Sequence, residues 1–226
     1  MLEQKAAPVL APTTESSLAS RRIADALRAR ILDGHLTPGE RVLQEDVAAQ
    51  FGSSRLPVRE AFRMLQADGL LSLVANSGAW VSQLTEAECA EAYRIRERLE
   101  PLLLRESMRF LTDTTIDALA GLAEQMEQAP GVEDFIRLDR EFHLLAYSAA
   151  ETPTLTEIIV KLWNTTQNHR RAFSLITEQN HMFAHAEHRL IVDAIQRGDA
   201  DDAERQLLGH IHRTRVELLR HPELFD

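Results

Sequence analysis

Beyond Leu84 the chain stops offering strand-forming sequence, and that change of texture limits what it can fold into. From there to the C-terminus, apolar residues recur at helical spacing over about 86–110, 114–128, 132–150, 153–177, 180–197 and 200–220. Breakers stand between these stretches: Ala129-Pro130-Gly131, Glu151-Thr152-Pro153, Glu178-Gln179-Asn180 and Gly198-Asp199. Thr85-Glu86-Ala87-Glu88 opens the series as a capping box. Amphipathic helices joined by short connections bury their apolar stripes only against one another, so the spacing predicts an antiparallel helical bundle of about six helices.

The front of the chain alternates more. Ile23, Ala26, Leu27, Arg30 and Ile31 form a helical stripe that stops at Asp33-Gly34, and Thr37-Pro38-Gly39 makes a turn. A second helix is expected over about Gln44–Phe51, closed by Gly52. A third, capped by Ser53 or Ser54, runs over about Arg55–Ala67 and stops at Asp68-Gly69. Leu70–Val74 and Ala79–Val81 flank an Asn/Ser/Gly turn and read as a hairpin. Three short helices followed by a hairpin describe a winged helix-turn-helix. The predicted fold is therefore mainly α, with an arm at 1–17, a winged helix-turn-helix domain at 18–83 and an all-helical domain at 84–226.

Charge separates the same two segments. Residues 20–83 hold eight basic against seven acidic residues, net +1, whereas 84–226 hold 16 against 26, net −10. Only the front can approach a polyanion without repulsion. A single cysteine, Cys89, excludes a disulfide framework and a multi-thiolate metal site. No apolar run reaches the length of a membrane span, and the opening MLEQKAAPVLAPTTESS is too broken by proline for a secretory leader. A cytoplasmic protein with a mobile arm and no membrane partner is expected.

The sharpest motif is Gly52-Ser53-Ser54-Arg55-Leu56-Pro57-Val58-Arg59-Glu60-Ala61-Phe62-Arg63-Met64-Leu65. Arg55 and Arg59 share a helix face, while Val58, Phe62 and Leu65 point to the core. Pro57 is tolerated in the first turn. That arrangement suits a helix whose N-terminus enters the major groove, where guanidinium bonds a guanine edge and serine hydroxyls with free N–H groups hold phosphate. Together with Leu36-Thr37-Pro38-Gly39-Glu40-Arg41 and Leu65-x-x-x-Gly69-Leu70, the motif resembles the DNA-binding domain of GntR-type transcription regulators over about 18–83. The resemblance implies operator contacts by Ser54, Arg55 and Arg59, with the wing tip Asn76, Ser77 and Gly78 near the minor groove. Three positions depart from the family pattern. Leu56 replaces a small hydroxyl residue, Ala75 a wing proline and Ser77 a wing arginine, which implies fewer phosphate or minor-groove contacts and a shallower salt dependence.

The helical segment is rich in imidazole. Asp139 and His143 stand at i and i+4, His181, His185 and His188 share a second helix, and His210 and His212 lie on the last. Imidazole plus carboxylate suits a divalent metal ion, zinc first, with nickel or manganese as alternatives. The stretches Arg96-x-x-Leu99-Glu100, Asp139-x-x-x-His143, Glu187-His188-Arg189 and His210-Ile211 resemble the effector domain of the FadR-type branch of GntR regulators over about 86–220. In metal-binding members of that branch the ligands correspond to Asp139, His143, His188 and His210. His185 competes with His188 on spacing alone. The branch senses small organic acids, so a carboxylate effector is expected at the metal and an arginine, Arg96 first, then Arg140, Arg170 and Arg171. His169, His181 and His212 are expected at the surface or in caps, and Trp80, Trp163, Tyr93 and Tyr147 in core or rim packing.

These readings converge on a homodimeric, metabolite-responsive regulator, a repressor by family analogy, that binds double-stranded operator DNA, with a hinge near Gln83-Leu84-Thr85. The rival is a metal-dependent enzyme using the Asp/His site, with Glu141 or Glu187 as base.

Overall fold

The computed structural model describes residues 14–74, 78–176 and 181–225. The described chain divides into two compact units: a front unit up to Val81, apart from 32–34, and a second from Ser82 onward that also takes in 32–34.

In the front unit, α1 (Thr14–Leu32), α2 (Gln44–Gln50) and α3 (Arg55–Ala67) accompany a three-stranded sheet. The strands are β1 (Arg41–Val42), β2 (Leu71–Val74) and β3 (Gly78–Val81). Helix α1 begins at Thr14, inside the stretch read as an arm, and within it the Ser20 hydroxyl donates to the Ser16 carbonyl. β1 was not foreseen: two residues are too short to show an alternation. It pairs antiparallel with β3, Arg41 opposite Trp80 and Val42 opposite Ala79, so the expected hairpin is the outer part of a sheet ordered β1-β3-β2. On the other side of β3, Leu71 faces Val81 and Val74 faces Gly78.

Side chains from all these elements meet in one core, with Ile23, Leu27, Val58, Ala61 and Leu65 fully enclosed. Gly52 and Gly69 close α2 and α3 at φ +57° and +76°, a region that side chains with a Cβ avoid. Ser54 is the N-cap of α3, yet its side chain makes no capping hydrogen bond. Among the wing positions Gly78 is described, whereas Ala75, Asn76 and Ser77 lie outside the described residues.

The second unit contains six helices among the described residues: α4 (Glu86–Met108), α5 (Asp113–Glu127), α6 (Val132–Ala146), α7 (Pro153–Ile176), α8 (His181–Gln196) and α9 (Ala200–Leu218). A short 3-10 turn follows at Pro222–Leu224. α6 stops four residues short of its expected end, Tyr147 serving as its C-cap. α4 packs on α9 and α7, α5 pairs with α6, and α8 lies against both α5 and α9. Leu103, Leu104, Leu119, Phe142, Ile159 and Trp163 form the centre of the resulting core. No helix of the described residues is long and apolar enough to cross a membrane.

The start of α4 is fixed by its sequence. The Thr85 hydroxyl accepts from the Glu88 backbone N–H at 3.3 Å, and the Glu88 carboxylate accepts from the Thr85 N–H at 2.9 Å. Thr85→Ala removes one half of this reciprocal pair. It should lower unfolding stability by about 1 kcal/mol, whereas Thr85→Ser, which keeps the oxygen, should cost less; urea denaturation followed by circular dichroism measures both.

Candidate functional site

Two groups of polar side chains stand out, one in each unit. In the front unit, the exposed N-terminal turn of α3 presents Ser54, Arg55, Leu56 and Arg59 to solvent, while Pro57, Val58, Ala61 and Phe62 anchor the helix from below. The Arg55 guanidinium reaches Glu45 on α2 at 2.6 Å, and the Gln44 amide donates to the Arg55 carbonyl at 2.6 Å. Both members of the Arg55–Glu45 pair are largely exposed, so the pair contributes little and yields readily to a polyanion. On the sheet, the Arg41 guanidinium lies 5.6 Å from the Trp80 ring centre and beside Gly78 at the base of the wing. Arg41 was visible only as part of a turn motif; the β1–β3 pairing is what brings it to the wing.

In the second unit, Asp139 and His143 from α6, His188 from α8 and His210 from α9 converge. One ligand atom from each lies within 4.8 Å of every other, and all four residues are buried. His188 Nε2 stands 3.2 Å from Asp139 Oδ1 and 3.4 Å from His143 Nε2; His143 Nε2 stands 3.8 Å from Asp139 Oδ1. His185 points elsewhere. Its ring meets Phe135 edge-on, and it is His188 that reaches Asp139. Spacing of four and seven along one helix could not decide between them, because both positions lie near one face.

Charge and protonation in the cluster follow from burial and neighbours. Burial lowers the affinity of His143 and His210 for a second proton, which Asp139 and Glu187 only partly oppose, so both rings are neutral near pH 7. Burial alone would push Asp139 upward. Arg170, which donates to its Oδ2, and the His188 hydrogen bond instead carry it well below the usual carboxylate range.

The second ring nitrogens are held from outside. His143 Nδ1 is 3.2 Å from the Tyr147 hydroxyl, which donates onward to Glu100 Oε2 at 2.7 Å; the hydroxyl oxygen therefore accepts the His143 Nδ1 proton. His210 Nδ1 is 2.8 Å from Glu187 Oε2, which accepts its proton. Both rings are thus left with bare Nε2 lone pairs facing one carboxylate oxygen. His188 Nδ1 is buried without a hydrogen-bond partner. His188 Nε2 donates to Asp139 and would give up that proton to a cation; three imidazole nitrogens with one carboxylate then form a donor set that borderline divalent metals accept. The residues fit a metal ion.

Of the arginines considered for an effector, Arg170 borders the cluster and lines the adjoining cavity, whereas Arg96 and Arg140 do not line it. Arg96 is only 3 % exposed. It pairs with Glu100, donates to Thr166 at 3.2 Å and lies 4.4 Å from the centre of the Trp163 ring and 4.7 Å from that of Tyr93. Its role is to neutralise Glu100, which also accepts from Tyr147 and from the Trp163 indole N–H. Arg140 donates to Asn164 at 2.6 Å across α6 and α7, and Arg171 pairs with Glu133. His169, expected at the surface or in a cap, is buried, with its Nε2 3.1 Å from the Leu84 carbonyl just before the start of α4. His212 is exposed, and the His181 side chain lies outside the described residues.

The cavity beside the cluster encloses about 400 Å³, an ordinary size for a small-molecule pocket. Asp139 and His210 form one end, and Arg213 and Arg220 contribute from α9 and just beyond it. Phe135, Phe173 and Phe183 supply apolar walls. Arg213 and Arg220 carried no signal in the sequence beyond helical spacing. Glu187, a candidate base, is raised by burial but held down to about 2 by hydrogen bonds from Arg213 and His210, so it does not accept protons near neutrality. Glu141 sits exposed, 3.6 Å from Arg137.

Comparisons with known proteins match the two segments to two family models. The family model for the FCD domain matches residues 91–213, and that for bacterial regulatory proteins of the gntR family matches 19–81. The chain is 29 % identical to the HTH-type transcriptional regulator YdhC of Bacillus subtilis, over 86 % of this chain and 88 % of that one. It is 26 % identical to the HTH-type transcriptional repressor RspR of Escherichia coli, over 85 % of each. Among solved structures, E. coli McbR/YncC superposes with a TM-score of 0.79 at 25 % identity, covering 90 % of this chain and 98 % of that one.

Removing Arg96 while leaving Glu100 strands a carboxylate in the core. Arg96→Leu should therefore destabilise the protein by about 3–5 kcal/mol, and Arg96→Leu with Glu100→Leu should recover much of that loss, both read from denaturant midpoints. An Arg96→Leu protein of undiminished stability would contradict the structural assignment.

Proposed function

The chain belongs to the gntR family of bacterial regulatory proteins and carries an FCD domain, and from that premise we propose a metabolite-responsive repressor that senses a small organic acid through a bound divalent ion. The observation that carries this reading is the convergence of Asp139, His143, His188 and His210 at the end of an arginine-bearing cavity. When bound, the ion supplies positive charge and open coordination positions for an effector carboxylate. Zinc, nickel and manganese all take this donor set.

The chain's own residues prepare the site. Tyr147 and Glu187 fix the imidazole tautomers, Arg170 holds Asp139 ionised, and the Arg96–Glu100 pair anchors Tyr147 to α4. Through Glu100, the cluster is tied to the helix that starts immediately after the boundary between the two units, at Glu86. An effector changes operator affinity only as far as it binds one arrangement of this helix better than another, so the hinge near Gln83-Leu84-Thr85 is the element it biases. The regulator reads DNA as a homodimer, because each winged unit offers one recognition helix and a pseudo-palindromic operator presents two half-sites.

Ser54, Arg55 and Arg59 at the start of α3 make the operator contacts, with the wing around Gly78 following the minor groove. Exposed Leu56, in place of a small hydroxyl residue, offers a thymine methyl an apolar partner and gives up a phosphate contact. Glu187, clamped by Arg213 and His210, supports regulation rather than metal-dependent hydrolysis.

Arg55→Ala and Arg59→Ala should each weaken operator binding by about 1–3 kcal/mol at fixed salt without changing the melting temperature; mobility-shift titrations measure the loss, and unaltered affinity in both would remove α3 as the reading helix. His143→Ala should abolish stoichiometric metal in elemental analysis. Tyr147→Phe should weaken metal binding by roughly 10- to 100-fold against a chromophoric chelator, since it frees the His143 ring from its outer partner.

A further inference from the structure

The cavity beside the cluster has an uneven chemistry that narrows what can occupy it. Each arginine along it already has a carboxylate. Arg170 bonds Asp139, Arg213 bonds Glu187 through Nε and Nη2, and Arg220 holds both oxygens of Glu217 at 2.8 and 3.0 Å. Three guanidinium charges therefore meet three carboxylate charges, and no arginine is left in excess. The positive charge that remains uncompensated is that of the ion held by Asp139 and the three imidazoles. It stands at one end of the cavity, where Asp139 and His210 form the wall. A ligand carboxylate offsets part of that charge.

The rest of the wall is aromatic. Phe135 from α6, Phe173 from α7 and Phe183 from α8 line it together with Ala184. Phe183 is 62 % exposed, an unusual degree for a phenylalanine on a helix and one that a ligand's apolar body would reduce. Besides His210, Ser174 and Thr214 are the uncharged hydrogen-bonding side chains on the wall.

We propose that this cavity selects carboxylates with an apolar body, such as medium-chain or aryl-substituted acids, the carboxylate lying at the cluster and the body against Phe135, Phe173 and Phe183. Short hydroxy acids are disfavoured. The proposal rests on the reading of the site as a metal-dependent acid sensor and adds the class of acid.

Two matched comparisons test it by isothermal titration calorimetry on the full-length, zinc-loaded protein. Across butanoate, pentanoate and hexanoate, affinity should rise about three- to fourfold per methylene, the gain from burying one such group. Phenylacetate should bind more tightly than lactate. Phe183→Ser, an exposed change that leaves the core intact, should lower hexanoate affinity several-fold and reduce the gain per methylene.

A flat chain-length series, or lactate binding as tightly as hexanoate, overturns the class of acid and leaves the acid-sensing reading standing. Absence of binding heat for every acid, with zinc shown to be present, overturns both. Hexanoate affinity unchanged in Phe183→Ser removes the aromatic wall from the account.

Discussion

A carboxylate and three imidazoles enclosed in a helical bundle impose a cost that the surrounding helices have to offset. Asp139, His143, His188 and His210 are all buried, and burial penalises every charged form among them. The bundle answers with a second layer: Arg170 on the carboxylate, Tyr147 and Glu187 on the outer ring nitrogens, and Glu100 behind Tyr147. Glu100 is itself a buried charge and requires Arg96, whose guanidinium lies against Trp163 as does that of Arg170. Much of the polar interior of α4, α6 and α7 is thus explained by one demand, that four donors face one point with their lone pairs free.

That demand also explains why so many charged residues are buried in a unit whose surface is strongly acidic. Arg96, Glu97, Glu100, Asp139 and Arg170 are all enclosed, and each is paired with an opposite charge inside the unit. The front unit follows a different logic. Its core is apolar, its exposed arginines are paired only with exposed acids, and the first turn of α3 leaves its side chains toward solvent. This member of the gntR family with an FCD domain combines both designs in one chain.

Much of the architecture was legible in the sequence because it depends on local rules. Helical periodicity, the Thr85–Glu88 capping box, the glycines at 52 and 69 and the strand-rich run before Val81 each act over a few residues, and they mark where elements begin and end. The two-residue β1 escaped because it depends on a partner distant in sequence. Arg41 and Val42 become a strand only when β3 lies beside them.

For the candidate site, sequence determined the inventory: Asp139 and His143 one helical turn apart, a histidine-rich helix after them, two serine-flanked arginines at the start of a third helix, and a charge division that keeps a polyanion to the front. Tertiary structure alone decided the geometry. Which of His185 and His188 meets Asp139 depends on the rotation of α8 about its axis, which packing against α5 and α9 sets. Arg96 was drawn into the core by Glu100, while Arg213 and Arg220 came to the cavity from a distant helix end, because long-range packing assigns partners that spacing along the chain does not encode.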